Sequence, residues 1–302
     1  MTVKKSKAVL LFGATASGKT DLAIKIAQKF DGEIINADSR QFYKEMPIIT
    51  AMPSVEEFAA AKHHLFDCLE VGNDFSVAKY LEMAKEVSEK IIAKGKLPIF
   101  VGGTGMYLKV LEHGISPIPA TDKNLLNDLE KLSTEDLFVK LSQEDYEMAL
   151  KLTSNDRQRI IRALAVIQQT GKSLLQWQKE ELVGALEYDF IHLVINPPRV
   201  VLYDRINSRA AKMLGLGVMD EVDRLYKKYG FKRENALTSI GFDIFCDFFE
   251  GNISEKKAIE KFAQKQRNYA KRQLTWLKHQ YKTDFEHKDL EETFEFLSEC
   301  LK

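Results

Sequence analysis

The chain of 302 residues is poor in cysteine, and its three, Cys68, Cys246 and Cys300, stand far apart without CxxC or Cys/His ligand spacing. A small disulfide scaffold is excluded, a structural zinc is not expected, and free thiols in a reducing compartment are. Long apolar runs are missing too, since none approaches the roughly 20 residues needed to cross a bilayer. The basic stretch Met1 to Lys7 is followed only by the short apolar run Ala8 to Phe12, which reads as a buried strand rather than a signal peptide. Internal repeats and low-complexity segments are lacking. Net charge is absent as well: 44 basic residues offset 44 acidic ones, which by itself points away from a nucleic-acid partner. A cytoplasmic protein without a membrane partner is expected.

The zero total conceals an uneven distribution. Thr121 to Leu150 carries eight acidic residues against Lys123, Lys131 and Lys140, whereas Glu255 to Lys282 carries nine basic residues against two glutamates. With 45% hydrophobic residues the chain is long enough for an α/β core and a smaller second unit. The run Ala8 to Phe12, a helix from about Lys19 to Phe30 and the run Glu33 to Asn36 alternate as strand, helix, strand. A helix over about Val77 to Lys94 then leads to the apolar run Leu97 to Val101. That alternation predicts an α/β fold, a parallel sheet with helices on both faces, which the glycine-rich run Gly13 to Thr20 between its first strand and helix makes P-loop NTPase-like. After Gly114, with Pro117 and Pro119, an acidic helix-patterned stretch runs to about Glu187, and Phe190 to Ile195 reads as a returning core strand. The expected organisation is a catalytic core of 1–114 and 188–302 with a helical insertion at 115–187.

GATASGKT, Gly13 to Thr20, fits GxxxxGK[ST] between a strand and a helix. Gly13 and Gly18 let the backbone wrap phosphate oxygens, the amides of Ala16, Ser17, Gly18 and Lys19 face the anion, and the Lys19 charge adds to them. Thr20 can ligate magnesium. The strand Glu33 to Asn36 delivers Asp38, Ser39, Arg40 and Gln41 to the carboxyl edge of the sheet, where α/β proteins bind ligands. Asp38 suits a magnesium-binding carboxylate in an NTPase or a general base in a transferase. Gly102 to Gly105 close the next strand, with glycines permitting a close backbone approach and Thr104 able to hydrogen-bond a phosphate or a base.

Arg159 and Arg162 are three apart on one helix face, with Ile160, Ile161 and Leu164 turned inward. Arg205 and Arg209 are four apart on a helix whose core face is read as Ile206, Met213 and Val222, and an arginine beside a phosphate loop stabilises leaving-group charge. The helix from Lys256 to His279 packs one side and leaves its cations outside, a face suited to a polyanion. On it, Tyr269 and Trp276 read as core or as base-stacking residues. His63 and His64, being adjacent, point in different directions and read as structural.

In this order, GATASGKT, DSRQFY, TAMPS, HHLFD, GGTGMYL, NDRQRIIRAL, RINSRAAKML and YAKRQLTWLK make the chain resemble the tRNA dimethylallyltransferase (IPP transferase) family of bacterial type. The resemblance implies transfer of a dimethylallyl group from dimethylallyl diphosphate to N6 of adenine 37, beside the anticodon, in tRNAs reading codons that begin with U. It implies that Thr15 to Thr20 hold the diphosphate, that Asp38 is the base, and that Thr104 and Arg209 bind the reacting ends. It also implies tRNA contacts from Asp38, Ser39, Arg40, Gln41 and Thr104, from Gln158, Arg159 and Arg162, and from Lys271, Arg272, Gln273 and Lys278. The expected cofactor is Mg2+, the expected partner the anticodon stem-loop of tRNA, the expected state a monomer. Five positions depart from the family's usual residues: Ile49 for glycine, Met52 for lysine, Leu126 for arginine, Ala165 for glutamate and Phe242 for tyrosine. Transfer to free AMP or ADP and small-molecule phosphorylation are the competing readings.

Overall fold

Ala8, Val9, Leu10, Leu11 and Phe12 are wholly excluded from solvent because their strand lies inside a parallel sheet covered on both faces. The computed structural model describes residues 5–73, 75–230 and 236–302, so Met1 to Lys4 of the basic N-terminus lie outside the described residues. The six strands are β1 (Lys7–Gly13), β2 (Gly32–Asn36), β3 (His63–His64), β4 (Leu97–Gly102), β5 (Asp189–Ile195) and β6 (Phe285–Glu286). They are ordered β3-β2-β4-β1-β5-β6, and every pairing is parallel. β1 pairs with β4 through Leu10 and Phe100 and with β5 through Leu10 and His192. The ends of β1, β2 and β4 therefore open on one carboxyl edge.

Helices cover this sheet. Leu22, Ala23, Ile26 and Ala27 of the helix Lys19–Lys29 join Val9, Leu11, Ile34, Ile99 and Leu193 in one apolar cluster. The C-terminal helix Leu290–Cys300 adds Leu297 to it.

Three elements depart from the sequence reading. β3 and β6 are two-residue strands held by register to β2 and β5, and neither was anticipated. The helix bearing Arg205 and Arg209 spans Arg199–Gly215, so Val222 belongs to a separate helix, Val218–Tyr229. Gly217 separates them in a left-handed conformation, φ 88°, which a residue with a Cβ adopts only at a cost.

The chain divides into two compact units, one of Met1–Glu112 with Leu186–Lys302 and one of His113–Ala185. The second contains the helices Lys123–Glu130, Thr134–Glu144, Tyr146–Ala149, Arg157–Thr170 and Leu174–Trp177 around a core of Leu129, Leu137, Leu141, Ile160 and Leu164. An antiparallel bridge between Ile115 and Val183 joins its two ends. Among the described residues, no helix is long and apolar enough to cross a membrane.

Candidate active site

The loop from Gly13 to Thr20 leaves β1 and enters the helix Lys19–Lys29 through Gly18, whose φ of 97° lies in the left-handed region. Ala16 is left-handed as well, at φ 62°. Gly13 is fixed by space: a Cβ there would stand 2.4 Å from the Ser17 hydroxyl and 2.6 Å from the Ile195 side chain. The helix start and the loop amides make an anion cradle. The Ser17 hydroxyl is buried without a hydrogen-bond partner, a polar atom left for a ligand to satisfy. Burial pushes the Lys19 ammonium down to about 8; the Asp38 carboxylate opposes that shift and the Arg209 cation adds to it.

Asp38 lies two residues past β2. Its amide bonds to the Asn36 side chain at 2.8 Å, and its Oδ1 accepts the Arg40 amide at 3.0 Å, which fixes the turn. Thr104, just beyond β4, accepts the Ser39 amide on Oγ1 at 3.2 Å, so the two strand ends are tied together. Gln41 spends its amide nitrogen on the carbonyls of Thr50 and Ala51, anchoring the next loop rather than projecting freely. Tyr269 joins this group: burial, followed by the field of Asp38, pushes its phenol up to about 12, while a hydrogen bond to Thr104 and the cations Arg40 and Arg272 work against the rise.

Arg205 and Arg209 of the Arg199–Gly215 helix both reach the phosphate loop. Arg205 donates to the Ser17 carbonyl at 2.9 Å, and Arg209 donates to the Thr15 hydroxyl and to Gln266. Arg209 Nε is buried without a partner. Burial pushes Arg209 down to about 10, against the Asp38 carboxylate, so it is still a cation at neutral pH. Lys19, Arg209 and Asp38 thus act on one another electrostatically, which is the juxtaposition that an anionic leaving group and a proton transfer require.

The helix Glu255–Gln280 presents Lys271, Arg272 and Lys278 outward, and Asn268, Lys271, Arg272, Thr275, Trp276, His279 and Gln280 line a shallow depression on it. Gln273 differs from its neighbours. Expected among the tRNA contacts, it is instead 5% exposed and bonded to Thr15 and Gly103, because helical spacing puts it on the inner stripe with Ala270 and Gln266. Trp276 is half-buried, packing on Phe12 with ring centroids 5.3 Å apart while it also borders the depression. Gln158 and Arg159, in the second unit, are exposed, and Arg159 pairs with Asp156 at 3.2 Å. Arg162 is half-buried and donates to Thr121.

His63 and His64 serve structure: His64 Nε2 meets Glu33 at 2.7 Å and His63 Nδ1 meets the Ala61 carbonyl at 2.8 Å. Among the described residues, no cluster of three or more His, Cys, Asp or Glu side chains is arranged to hold a metal ion.

The model of the IPP transferase family matches residues 41–280. The chain belongs to that family. Its relatives include the tRNA dimethylallyltransferase of Rickettsia felis, 37% identical over 97% of either chain, and tRNA dimethylallyltransferase 2 of Geotalea daltonii, 40% identical over 92% of this chain and 86% of the other. A solved tRNA isopentenylpyrophosphate transferase from Bacillus halodurans is similar at TM-score 0.69 and 32% identity, covering 99% of this chain and 96% of that one. A eukaryotic dimethylallyltransferase captured acting on tRNA is similar at TM-score 0.77 and 29% identity, over 90% of this chain and 70% of that one.

Within this family the five departures have local structural settings. Ala165 and Phe242 are fully buried, and Leu126 packs against the core of the second unit. Ile49 is buried, and its amide donates to the buried carboxylate of Glu221 at 2.8 Å, with the Ile48 amide on the other oxygen at 2.9 Å. Met52 closes the same turn, its amide donating to the Pro47 carbonyl.

Proposed function

We propose that this chain transfers a dimethylallyl group from dimethylallyl diphosphate to N6 of adenine 37 in tRNAs reading codons that begin with U, yielding N6-dimethylallyladenosine and diphosphate. The observation that carries the reading is the electrostatic union of Lys19, Arg209 and Asp38 at the mouth of the phosphate loop. Adenine N6 is a poor nucleophile because its lone pair is delocalised into the ring. As N6 forms its bond to the allylic carbon, the carbon–oxygen bond to the diphosphate breaks and Asp38 takes the N6 proton. The electron pair leaves with the diphosphate, whose growing charge falls on the loop amides, Lys19 and Arg209. The base leaves the anticodon stack to reach this edge.

Magnesium fits this reading. With no protein cage present among the described residues, Thr20 and the diphosphate oxygens would hold it, the mode of binding that Mg2+ favours. When bound, it neutralises charge on the diphosphate. Thr15 to Thr20 bind the diphosphate. Asp38, Ser39, Arg40, Thr104, Gln158, Arg159, Arg162, Lys271, Arg272 and Lys278 are the proposed tRNA contacts, with 113–185 as the second RNA-binding unit of a monomeric cytoplasmic enzyme.

The outward cations of the Glu255–Gln280 helix favour a polyanionic acceptor over free AMP. The experiment supplies labelled dimethylallyl diphosphate and magnesium with undermodified tRNA, AMP or ATP in parallel. Label in tRNA is expected; label in AMP alone, or phosphate transfer from ATP, overturns the reading.

A further inference from the structure

Gln273 occupies a position where helical spacing calls for an apolar side chain. The buried residues of the Glu255–Gln280 helix, Ala258, Phe262, Ala263, Gln266, Ala270 and Gln273, form one stripe. An amide buried there loses its hydration at both ends and is tolerated only where both ends are bonded. Gln273 Oε1 accepts the Thr15 amide at 2.9 Å, and its Nε2 donates to the Gly103 carbonyl at 2.8 Å.

Those partners belong to different sides of the site. Thr15 is part of the phosphate loop. Gly103 immediately precedes Thr104, which is tied through the Ser39 amide to the turn that carries Asp38. One side chain therefore links the donor cradle to the acceptor side. The approach is close: a Cβ on Gly103 would stand 2.2 Å from Gln273 Nε2, and one on Gly105 would stand 2.2 Å from the Trp276 ring. The glycines after β4, expected to permit a close backbone approach, admit this helix. Two turns earlier on the same stripe, Gln266 bonds Arg209, which also holds the Thr15 hydroxyl. Thr15 is thus gripped through both its backbone and its side chain.

We propose that Gln273 is a positioning residue that holds the diphosphate loop in register with the Thr104–Asp38 side. The inference rests on the transferase reading above. In a displacement the nucleophile, the allylic carbon and the leaving oxygen must align, and their spacing is set by the separation of these two loops. The amide fixes that separation from a helix whose outer face carries Lys271 and Arg272.

The test compares Gln273→Met and Gln273→Glu with wild type in the full chain. Binding of magnesium diphosphate is measured by calorimetry, and transfer to tRNA is measured well below each variant's melting temperature. For Gln273→Met, diphosphate affinity is expected to fall by about fivefold and kcat by about 30-fold or more, because lost alignment costs more than lost preorganisation. Gln273→Glu can accept from Thr15, but its ionised form cannot donate to Gly103. Its kcat relative to wild type should therefore rise as pH is lowered from about 8 to about 6, since a buried carboxyl protonates in that range and regains a donor. Should Gln273→Met fail to fold, the glutamate variant carries the test. Diphosphate affinity and kcat both within about twofold of wild type, with only the melting temperature lowered, would mark a purely structural glutamine and overturn the proposal. A wild-type protein that binds diphosphate but transfers nothing to tRNA refutes the transferase reading instead, while weaker diphosphate binding by Gln273→Met still supports the bridge.

Discussion

Arg209 donates to the hydroxyl of Thr15 across 194 positions of sequence and keeps an unpartnered Nε buried beside the phosphate loop. One nitrogen, Nη2, donates to both Thr15 and Gln266, which leaves the Nε edge of the planar guanidinium for a ligand. Arg209→Lys retains a cation yet loses the planar guanidinium and its buried Nε donor. Turnover is expected to fall by about 10²-fold, the scale of losing one preorganised charge partner for a leaving group. Single-turnover transfer to tRNA checks this, and a loss below about threefold would show that charge alone suffices at this position.

Lys19 gives the site a pH limb. Its folded value, about 8, lies below the ordinary 10.5, so the unfolded chain holds the extra proton between those values. The sign follows: burying this cation costs stability that is fully felt below pH 8, and the cost fades as pH rises toward 10.5. Binding runs the opposite way, because the anion needs the proton. Affinity for dimethylallyl diphosphate should hold steady up to about pH 8 and then weaken. Lys19→Met should bind more weakly at neutral pH and lose that limb. A titration series by calorimetry measures both, and an unchanged limb in the variant would assign it to another group.

The four long strands were legible because a sheet covered on both faces demands continuous apolar runs, and Ala8 to Phe12 and Phe190 to Ile195 supply them. β3 and β6 were not. Two residues carry no period, and His63–His64 and Phe285–Glu286 become strands only by register with β2 and β5. The phosphate loop, Asp38 and Arg209 were legible from spacing and context. The role of Gln273 was hidden by its exposed basic neighbours, although a signal existed: Phe262, Gln266, Ala270 and Gln273 keep one helical phase, which turns a glutamine inward. The break at Gly217 carried a signal of its own: Val222, nine residues beyond Met213, would face the opposite side of a continuous helix.

Asp38→Asn separates base catalysis from architecture. The Arg40 amide is accepted by Asp38 Oδ1, and asparagine keeps that acceptor, so the turn should survive. Turnover is expected to fall by about 10²–10⁴-fold, the range for losing a general base, with diphosphate binding retained. Turnover within about tenfold of wild type would remove Asp38 as the base.

The outer face of the Glu255–Gln280 helix is tested through salt. Lys271, Arg272 and Lys278 are exposed there, whereas Arg267 is committed to Asn207 and Gln264 and makes a poor probe. A cation that contacts a tRNA phosphate releases counterions on binding, so each lost contact should flatten the slope of log affinity against log salt by about 0.7–0.9. The triple change to glutamine should therefore weaken tRNA binding most at low salt and leave diphosphate affinity within about twofold, since none of the three touches the phosphate loop. A full wild-type slope in the triple variant would place the RNA elsewhere on the protein. Equal weakening at every salt concentration would instead point to a packing defect in the helix.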